Sequence, residues 1–238
     1  MKIGWFYIRM FCLLLVTLFL VAFSHKRNSD RTIKAVKVNF EAGANLFITA
    51  ETVDKLLIQN GKPLEGQRKE ILVLKNLEDK LDSHAMISDA DVYLTLDGVV
   101  GATVKQRKPL GRVQAQKPFY IDENGSYMPL STNYSARVPL IDGVSREQIK
   151  EVYPLLNYLQ QDDLLAKQVI GISRKADGNY SLTPRVLNYN ITLGKIKDLQ
   201  SKFANYKAFY QKAIKDNSLP NYKNIDLRFK GQVVGTKI

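Results

Sequence analysis

From Asp91 to Leu110 the chain reads DVYLTLDGVVGATVKQRKPL, and this stretch decides the fold of its first half. Apolar residues alternate with other residues on both sides of Asp97-Gly98, and Asp-Gly between two alternating runs is a strong β-hairpin signal. The stretch therefore predicts two antiparallel strands that end near Pro109. Their alternating residues are Val92, Leu94 and Leu96 before the turn and Val100, Ala102 and Val104 after it.

One strand and two helices are predicted before this hairpin. Val36, Val38 and Phe40 show the period of a strand with one buried face. Thr49 is the predicted N-cap of a helix that Asn60-Gly61 stops, and a second helix is predicted around residues 71–86. Their apolar faces are Val53, Leu56 and Leu57 in the first helix and Leu74, Leu77, Leu81 and Ala85 in the second. Residues 33–108 are therefore predicted to form one α+β module in the order strand, helix, helix, strand, strand.

Residues 109–238 are predicted to form a β-rich domain with flanking helices, because short strand-like runs are separated by turn residues. Turns are predicted at residues 122–125 and at Asp177-Gly178. Ser145 and Gln148 form a capping-box pattern at the start of a helix, which Pro154 is predicted to bend or interrupt. A longer helix is predicted after Gly194. The two apolar stripes are Ile149, Val152, Leu155, Leu156 and Leu159, and then Ile196, Leu199, Phe203, Tyr206, Phe209 or Tyr210, and Ala213.

The chain ends with a predicted strand that begins at Ile225. A strand of this kind is often a sheet edge, and an edge can pair with a strand of another protein. The sequence therefore predicts a candidate binding strand. Its apolar residues are Ile225, Leu227 and Phe229, which alternate with Asp226, Arg228 and Lys230 ahead of Gly231.

The apolar run at residues 3–23 is long enough to cross a bilayer at about 1.5 Å per residue. We interpret it as a transmembrane helix, with Trp5 and Tyr7 at the interface and Arg9 reaching the headgroups. A cleaved signal peptide is the alternative. Residues 1–2 then form a short cytoplasmic end and residues 24–32 a linker. A strict count of positive charges predicts the reverse orientation, but a bulky domain behind a signal anchor is commonly exported.

The composition excludes several kinds of site. Among 238 residues there are two His and one Cys, Cys12, which lies inside the apolar run. Disulfides, cysteine nucleophiles and Cys-based zinc sites are therefore excluded after Cys12, as is any site that needs several imidazole ligands. The net charge of +12 suits anionic headgroups, cell-wall polymers, an acidic partner or, in the cytoplasm, nucleic acid. The basic residues are scattered, so solubility is the simpler interpretation.

No arrangement of residues predicts a catalytic, cofactor or metal site. The glycines fall singly at turns, without a phosphate-cradling motif, and His84 is interpreted as a residue that complements a helix dipole at its C-terminus. The acid pairs Asp89/Asp91 and Asp162/Asp163 leave open an exported enzyme that acts on cell-wall glycan. Glycosidases use two carboxyl groups about 5 to 9.5 Å apart, a separation that sequence does not give.

Five stretches carry a family resemblance. The most specific is the run from a strand into Gln106-Arg107-Lys108-Pro109-Leu110, followed by Tyr-Ile-Asp and Gly. Together with the order of elements, they resemble the bacterial cell-division family FtsQ, called DivIB in some bacteria, over about 200 residues. The stretches are NLEDKLDSHAMISDADVYLTLDG (76–98), VKQRKPLGRV (104–113), FYIDENGSYMPLS (119–131), RVPLIDG (137–143) and IDLRFKGQVV (225–234).

The resemblance implies a POTRA module in the first domain and a division scaffold without enzymatic activity, cofactor, small-molecule substrate or nucleic acid. It implies one span in the inner membrane, with the bulk of the chain in the periplasm at the division septum. A POTRA-type outer-membrane assembly factor is the alternative among binding proteins, but it would need several repeats or a barrel.

The resemblance also implies that the last strand pairs with a strand of FtsB, which itself forms a coiled coil with FtsL. Phe229 would fill a pocket of the partner, at a position where relatives often carry Tyr, and Arg228 would pair with a partner carboxylate. The implied partner-binding residues are Asp226, Leu227, Arg228, Phe229, Lys230 and Gly231.

Overall fold

The structure is a computed structural model that describes residues 4–29, 31–41, 46–59 and 61–238. The predicted cytoplasmic end at residues 1–2, Ile3 of the predicted span and Asn60 of the predicted helix stop lie outside the described residues. The chain divides into two compact units after Gln106. Each unit is described by itself.

The first element is an exposed apolar helix, α1 (Trp5–Ser29). Its part from Trp5 to Lys26 is long and apolar enough to cross a membrane, and no other helix in the described ranges meets that test. This length and composition fit a membrane anchor and a signal sequence alike. The Cζ atom of Arg9 lies 3.7 Å from the centre of the Trp5 ring, one turn nearer the start of the helix. The one charge inside the apolar run is therefore directed toward the end of the span.

The first unit contains a three-stranded sheet in the order β1-β5-β4, with β1 parallel and β4 antiparallel to the central strand. The predicted order of strand, helix, helix, strand, strand is confirmed, with one small extra hairpin between the helices. The elements are β1 (Ala35–Phe40), α2 (Ala50–Leu56), β2 (Ile58–Gln59), β3 (Lys62–Pro63), α3 (Leu74–Asp82), β4 (Ile87–Leu94) and β5 (Val99–Gln106).

Helices α2 and α3 are both shorter than predicted. Thr49 is the N-cap of α2, since its side chain accepts the Thr52 N–H. The helix ends at Leu56 and does not reach Asn60-Gly61, because the next residues pair with Lys62–Pro63 as a hairpin. In the second helix Leu77 and Leu81 are buried, whereas Ala85 is exposed in a turn beyond the end of α3. The predicted stripe of four apolar residues is therefore interrupted before its last member.

The hairpin of β4 and β5 forms at Asp97-Gly98 as predicted, with Gly98 at φ +92°. Strand β4 ends at Leu94, so Leu96 lies in the turn and not on the strand. Its side chain is 88% exposed, which corrects its predicted place on the buried face.

The second unit is built on a nine-stranded mixed sheet in the order β14-β13-β12-β11-β10-β9-β6-β7-β8. Its strands are β6 (Pro109–Val113), β7 (Phe119–Asp122), β8 (Tyr127–Pro129), β9 (Leu140–Asp142), β10 (Val169–Arg174), β11 (Tyr180–Pro184), β12 (Asn190–Gly194), β13 (Tyr222–Asp226) and β14 (Val234–Lys237). Its helices are α4 (Ile149–Gln161), α5 (Asp163–Gln168) and α6 (Leu199–Lys215).

Two pairs of parallel neighbours determine where these helices lie. Strand β9 is joined to β10 through α4 and α5, and β12 is joined to β13 through α6. Both connections move in the same direction along the sheet, and such crossovers are nearly always right-handed, so their helices are expected on the same face. The rings of Tyr158 on α4 and Phe203 on α6 stack accordingly, with centroids 5.2 Å apart. One hydrophobic core includes residues of both helices and of the strands beneath them.

Helix α4 follows the predicted capping box. The Ser145 side chain and the Gln148 side chain each accept a backbone N–H of the other, and a short 3-10 turn, Arg146–Gln148, leads into the helix. The prediction that Pro154 interrupts this helix is wrong, since α4 runs unbroken to Gln161. Pro154 is exposed, so the carbonyl that loses its helical partner can bind water. The predicted apolar stripe is buried in full.

Asp122 is a buried carboxylate that fixes the turn between β7 and β8. Its Oδ1 accepts the backbone N–H groups of Asn124 at 3.0 Å and Ser126 at 2.7 Å, and Nη1 of Arg107 donates to its Oδ2 at 2.9 Å. The side chain has no exposed surface. A buried charge is tolerated only when hydrogen bonds and an opposite charge satisfy it, as they do here.

We therefore expect Asp122→Ala to lower the free energy of unfolding by about 3 kcal/mol, because it removes the acceptor of two amides and the partner of a guanidinium. Urea unfolding of the detergent-solubilised chain, followed by circular dichroism, measures this. Asp142→Ala is the matched control, since that carboxylate is exposed on β9. Equal losses in the two variants would contradict the structural role of Asp122.

Candidate partner-binding edge

The sequence predicts one terminal strand through residues 225–230, and this prediction is wrong. Strand β13 ends at Asp226, and a seven-residue connection then leads to a further strand, β14. Five of the six predicted binding residues lie in this connection, which we call the terminal loop (residues 227–233). The five are Leu227, Arg228, Phe229, Lys230 and Gly231.

An ion pair between Asp226 and Arg228 ends β13. Oδ1 of Asp226 accepts the backbone N–H of Arg228 at 3.0 Å, which makes a local turn in place of the next ladder hydrogen bond. The guanidinium of Arg228 reaches the same carboxylate, with 3.0 Å from Nε to Oδ1 and 2.6 Å from Nη2 to Oδ2. Arg228 is thus already paired within its own loop.

The charge state of Asp226 depends on this pairing. Burial raises the pKa of its carboxyl, but the hydrogen bonds from the Arg228 guanidinium and backbone, with its positive charge, outweigh burial and hold the pKa below its usual value. The carboxylate is therefore ionised at neutral pH, and the loop keeps its two-point contact.

Gly194 makes room for the arginine. It lies at the end of β12 with φ +75°, and a Cβ atom there would lie 2.8 Å from Cγ of Arg228. The Nζ of Lys202, on α6, donates to the carbonyls of Leu193 at 2.8 Å and Lys195 at 2.9 Å. The end of β12 is therefore held by helix and loop together.

Within the terminal loop, Leu227 and Phe229 have opposite surroundings. Leu227 is 2% exposed, and its N–H donates to the carbonyl of Thr192 at 2.9 Å. Phe229 is 46% exposed and is therefore not a core residue. Gly231 has φ +74° and turns the chain toward β14. The loop therefore presents one large apolar side chain to its surroundings.

Strand β14 is one of the two end strands of the sheet in this unit. It pairs antiparallel with β13, and the N–H of Ile238 donates to the carbonyl of Asn221 at 3.0 Å. Because backbone groups of successive strand residues face opposite edges, Gly235 and Lys237 direct their N–H and C=O groups away from β13. No strand of the described residues pairs with that side. Sequence reasoning missed this edge, although Gly231 between two β-prone runs is a hairpin signal.

The edge strand is fixed to the unit by an aromatic contact. A Cβ atom at Gly235 would overlap the ring of Tyr222, so the ring covers β14 at the residue that has no side chain. Tyr222 in turn packs edge-to-face against Phe209 of α6, with ring centroids 5.2 Å apart. The position of β14 is therefore tied to the helix that covers the sheet.

The acidic residues that the sequence paired lie at a helix cap and at exposed positions of their own units. Asp162 caps α5 and accepts a hydrogen bond from Nζ of Lys207 at 2.6 Å, and that bond lowers the pKa of its carboxyl. Asp89 and Asp91 are both exposed on β4, and Asp163 is exposed at the start of α5. Within the described ranges, no group of three or more His, Cys, Asp or Glu could hold a metal ion.

His84 differs from its predicted role. Its Nδ1 accepts the N–H of Met86 at 3.3 Å, and burial lowers the pKa of its imidazole. The side chain is therefore neutral at neutral pH and does not supply the cation that the helix-dipole interpretation required.

Comparison with known families identifies the second unit. The family described as FtsQ/DivIB, C-terminal related, matches residues 108–236, more than half of the chain. The chain belongs to this family. A POTRA-like domain matches residues 33–105, so the resemblance and the α+β fold expected from the sequence are confirmed. A search of curated proteins gives no match. Membership in the FtsQ/DivIB-related family indicates a cell-division protein with partners in the division machinery.

The Asp226 pairing predicts a pH dependence. Since the folded-state pKa lies below the usual 3.8, the stabilisation from Asp226 is complete above about pH 5 and is lost as the pH falls through the lowered pKa. We expect Asp226→Asn to unfold at lower urea concentration than wild type at pH 7, and the difference to shrink below about pH 4. Urea titrations at several pH values measure it, with Asp142→Asn as the exposed control. A difference that stays constant down to about pH 2 would contradict the assignment.

Proposed function

We propose that this FtsQ/DivIB-related chain is a non-enzymatic scaffold of the bacterial division machinery that binds the FtsB/FtsL coiled-coil complex through β14 and the terminal loop. The observation that carries the proposal is an open, firmly held edge strand directly after an exposed Phe229, inside the family-matched domain. An open edge and a nearby apolar anchor are what strand addition by a partner uses.

In this surface, the backbone of β14 and the side chains of the terminal loop make different kinds of contact. Gly235 and Lys237 offer their backbone groups to a partner strand, which gives affinity without dependence on sequence. The half-exposed ring of Phe229 supplies the apolar contact, and exposed Lys230 beside it suits a partner with acidic residues. Asp226 and Arg228 contribute by shaping the loop. In this proposal, their pairing takes the place of the expected contact between Arg228 and a partner carboxylate.

The proposal includes a membrane topology. Helix α1 anchors the chain in the inner membrane with a cytoplasmic end of residues 1–2, and the bulk of the chain lies in the periplasm at the division septum. Residues 24–32, of which 24–29 continue α1, form the linker. Residues 33–108 form the POTRA-like domain and residues 109–238 the partner-binding domain. A scaffold needs no catalytic group, cofactor or small-molecule substrate, and we assign none.

Lys237→Pro tests strand addition directly. Proline removes the N–H that faces the open edge, while the N–H of Ile238, which pairs with Asn221, remains. We expect co-purification of FtsB and FtsL from membranes of the host to fall about tenfold or more, with Lys237→Ala as the control that keeps the N–H. Retention of the partners by Lys237→Pro would contradict pairing at β14.

Phe229→Glu tests the apolar anchor. A charge in place of a desolvated ring is expected to weaken partner binding about tenfold or more. Because Phe229 is 46% exposed, the free energy of unfolding should change by less than about 1 kcal/mol. Val186→Glu is the matched control, since Val186 is 62% exposed. It follows β11 at one end of the β11–β12 pair, whereas Gly194, which contacts the terminal loop, lies at the other end. Equal partner recovery from both variants would contradict a contact at Phe229.

A further inference from the structure

The β4–β5 turn presents an apolar side chain among cations. Leu96 is 88% exposed, and single exposed leucines are ordinary on protein surfaces. This one borders a depression that is lined by Arg31, Thr32, Lys34 and Asp97. An exposed apolar residue beside a basic depression is the combination that peripheral membrane contacts present.

The turn is fixed to the segment that enters the first unit. The N–H of Lys34 donates to the carbonyl of Gly98 at 2.8 Å, and Nζ of Lys69 donates to the carbonyl of Leu96 at 3.1 Å. A Cβ atom on Gly98 would lie 3.0 Å from the carbonyl oxygen of Thr32, so only glycine allows this close approach. The position of Leu96 therefore follows that of residues 31–34.

The length of the chain keeps this segment close to the bilayer. The candidate span ends at Lys26, and α1 continues to Ser29. Counting the helical rise from Lys26 to Ser29 and the fully extended reach from Ser29 to Arg31, the distance from Lys26 to Arg31 is at most about 12 Å. The Lys26 ammonium belongs at the polar boundary, and the headgroup layer adds about 5–7 Å on each side of the hydrocarbon. Arg31, and the turn fixed beside it, therefore lie in or just above the headgroups.

The charges near the turn suit anionic lipid. Arg31, Lys34 and Lys69 are positive, and Asp97 is the opposing carboxylate that lines the depression. Each cation near an anionic surface adds to the attraction, and burial of one leucine adds to it further. We propose that the β4–β5 turn is a membrane contact, in which Leu96 enters the interface and Arg31, Lys34 and Lys69 bind anionic headgroups. The inference rests on the proposed membrane anchor.

Tryptophan fluorescence tests the contact in the full chain. Trp5 is the single Trp, so wild type reports on the span, and Leu96→Trp in a Trp5→Phe chain reports on the turn. The chain is reconstituted into phosphatidylethanolamine/phosphatidylglycerol vesicles whose acyl chains carry bromine near the headgroup. We expect the Leu96→Trp chain to lose fluorescence to an extent comparable to that of wild type, together with a blue shift of its emission.

Ala85→Trp in the same Trp5→Phe chain is the matched control. Ala85 is exposed just before the start of β4, whereas the β4–β5 turn follows the end of that strand. The length of β4 separates the two by about 25 Å. We expect no quenching there. A second pair tests charge in the Leu96→Trp chain: Lys34→Glu should reduce quenching in the anionic vesicles, whereas Lys105→Glu, at the far end of β5, should leave it unchanged.

The outcomes separate the two proposals. Quenching of Trp5 without quenching at position 96 overturns the membrane contact and leaves the anchor intact, whereas an unquenched Trp5 overturns both. Equal quenching at positions 85 and 96 also overturns the contact. If the tryptophan variant does not fold, a nitroxide on Leu96→Cys in a Cys12→Ala chain gives the same answer, because a membrane contact makes it more accessible to oxygen than to a water-soluble nickel complex.

Discussion

The handedness of two crossover connections determines the architecture of the second unit. Because β9–β10 and β12–β13 both advance in the same direction along the sheet, right-handed connections place α4 and α6 on one face, where Tyr158 and Phe203 stack. Helix α6 then covers β12 and β13 and reaches Tyr222 through Phe209. Strand β14 can therefore be firmly held by one neighbour while its other side stays open.

Sequence patterns predicted most of the elements, and the failures have physical causes. Asp97-Gly98 and the Ser145/Gln148 capping box succeeded because local backbone chemistry alone determines them. The prediction of the terminal strand failed because two structures share the alternating pattern of Asp226-Leu227-Arg228. One is a strand, and the other is a turn in which the Asp226 carboxylate accepts the N–H of Arg228. The interruption of α4 at Pro154 and the place of Ala85 on the buried face of α3 were predicted wrongly. Both depend on solvent exposure, which the sequence does not give.

Three carboxylates in the second unit share one structural role. Asp122 ends β7, Asp162 opens α5 and Asp226 ends β13, and each accepts at least one backbone N–H while a cationic side chain pairs with it. Arg228, two residues along the chain, pairs with Asp226, and Arg107, in the connection before β6, pairs with Asp122. Lys207 of α6 pairs with Asp162. Asp162, which the sequence left open as one of an acid pair, is in this way a structural residue, as are Asp122 and Asp226.

The short length of β14 affects how readily identical chains pair with one another through this edge. An open edge can pair with the edge of an identical chain as well as with a partner strand. Strand β14 has four residues, one of which is glycine, and exposed Lys237 lies at its end. Short, charged edges resist continuous stacking of like chains. The edge that we propose as the partner-binding strand is therefore a poor template for fibres of identical chains.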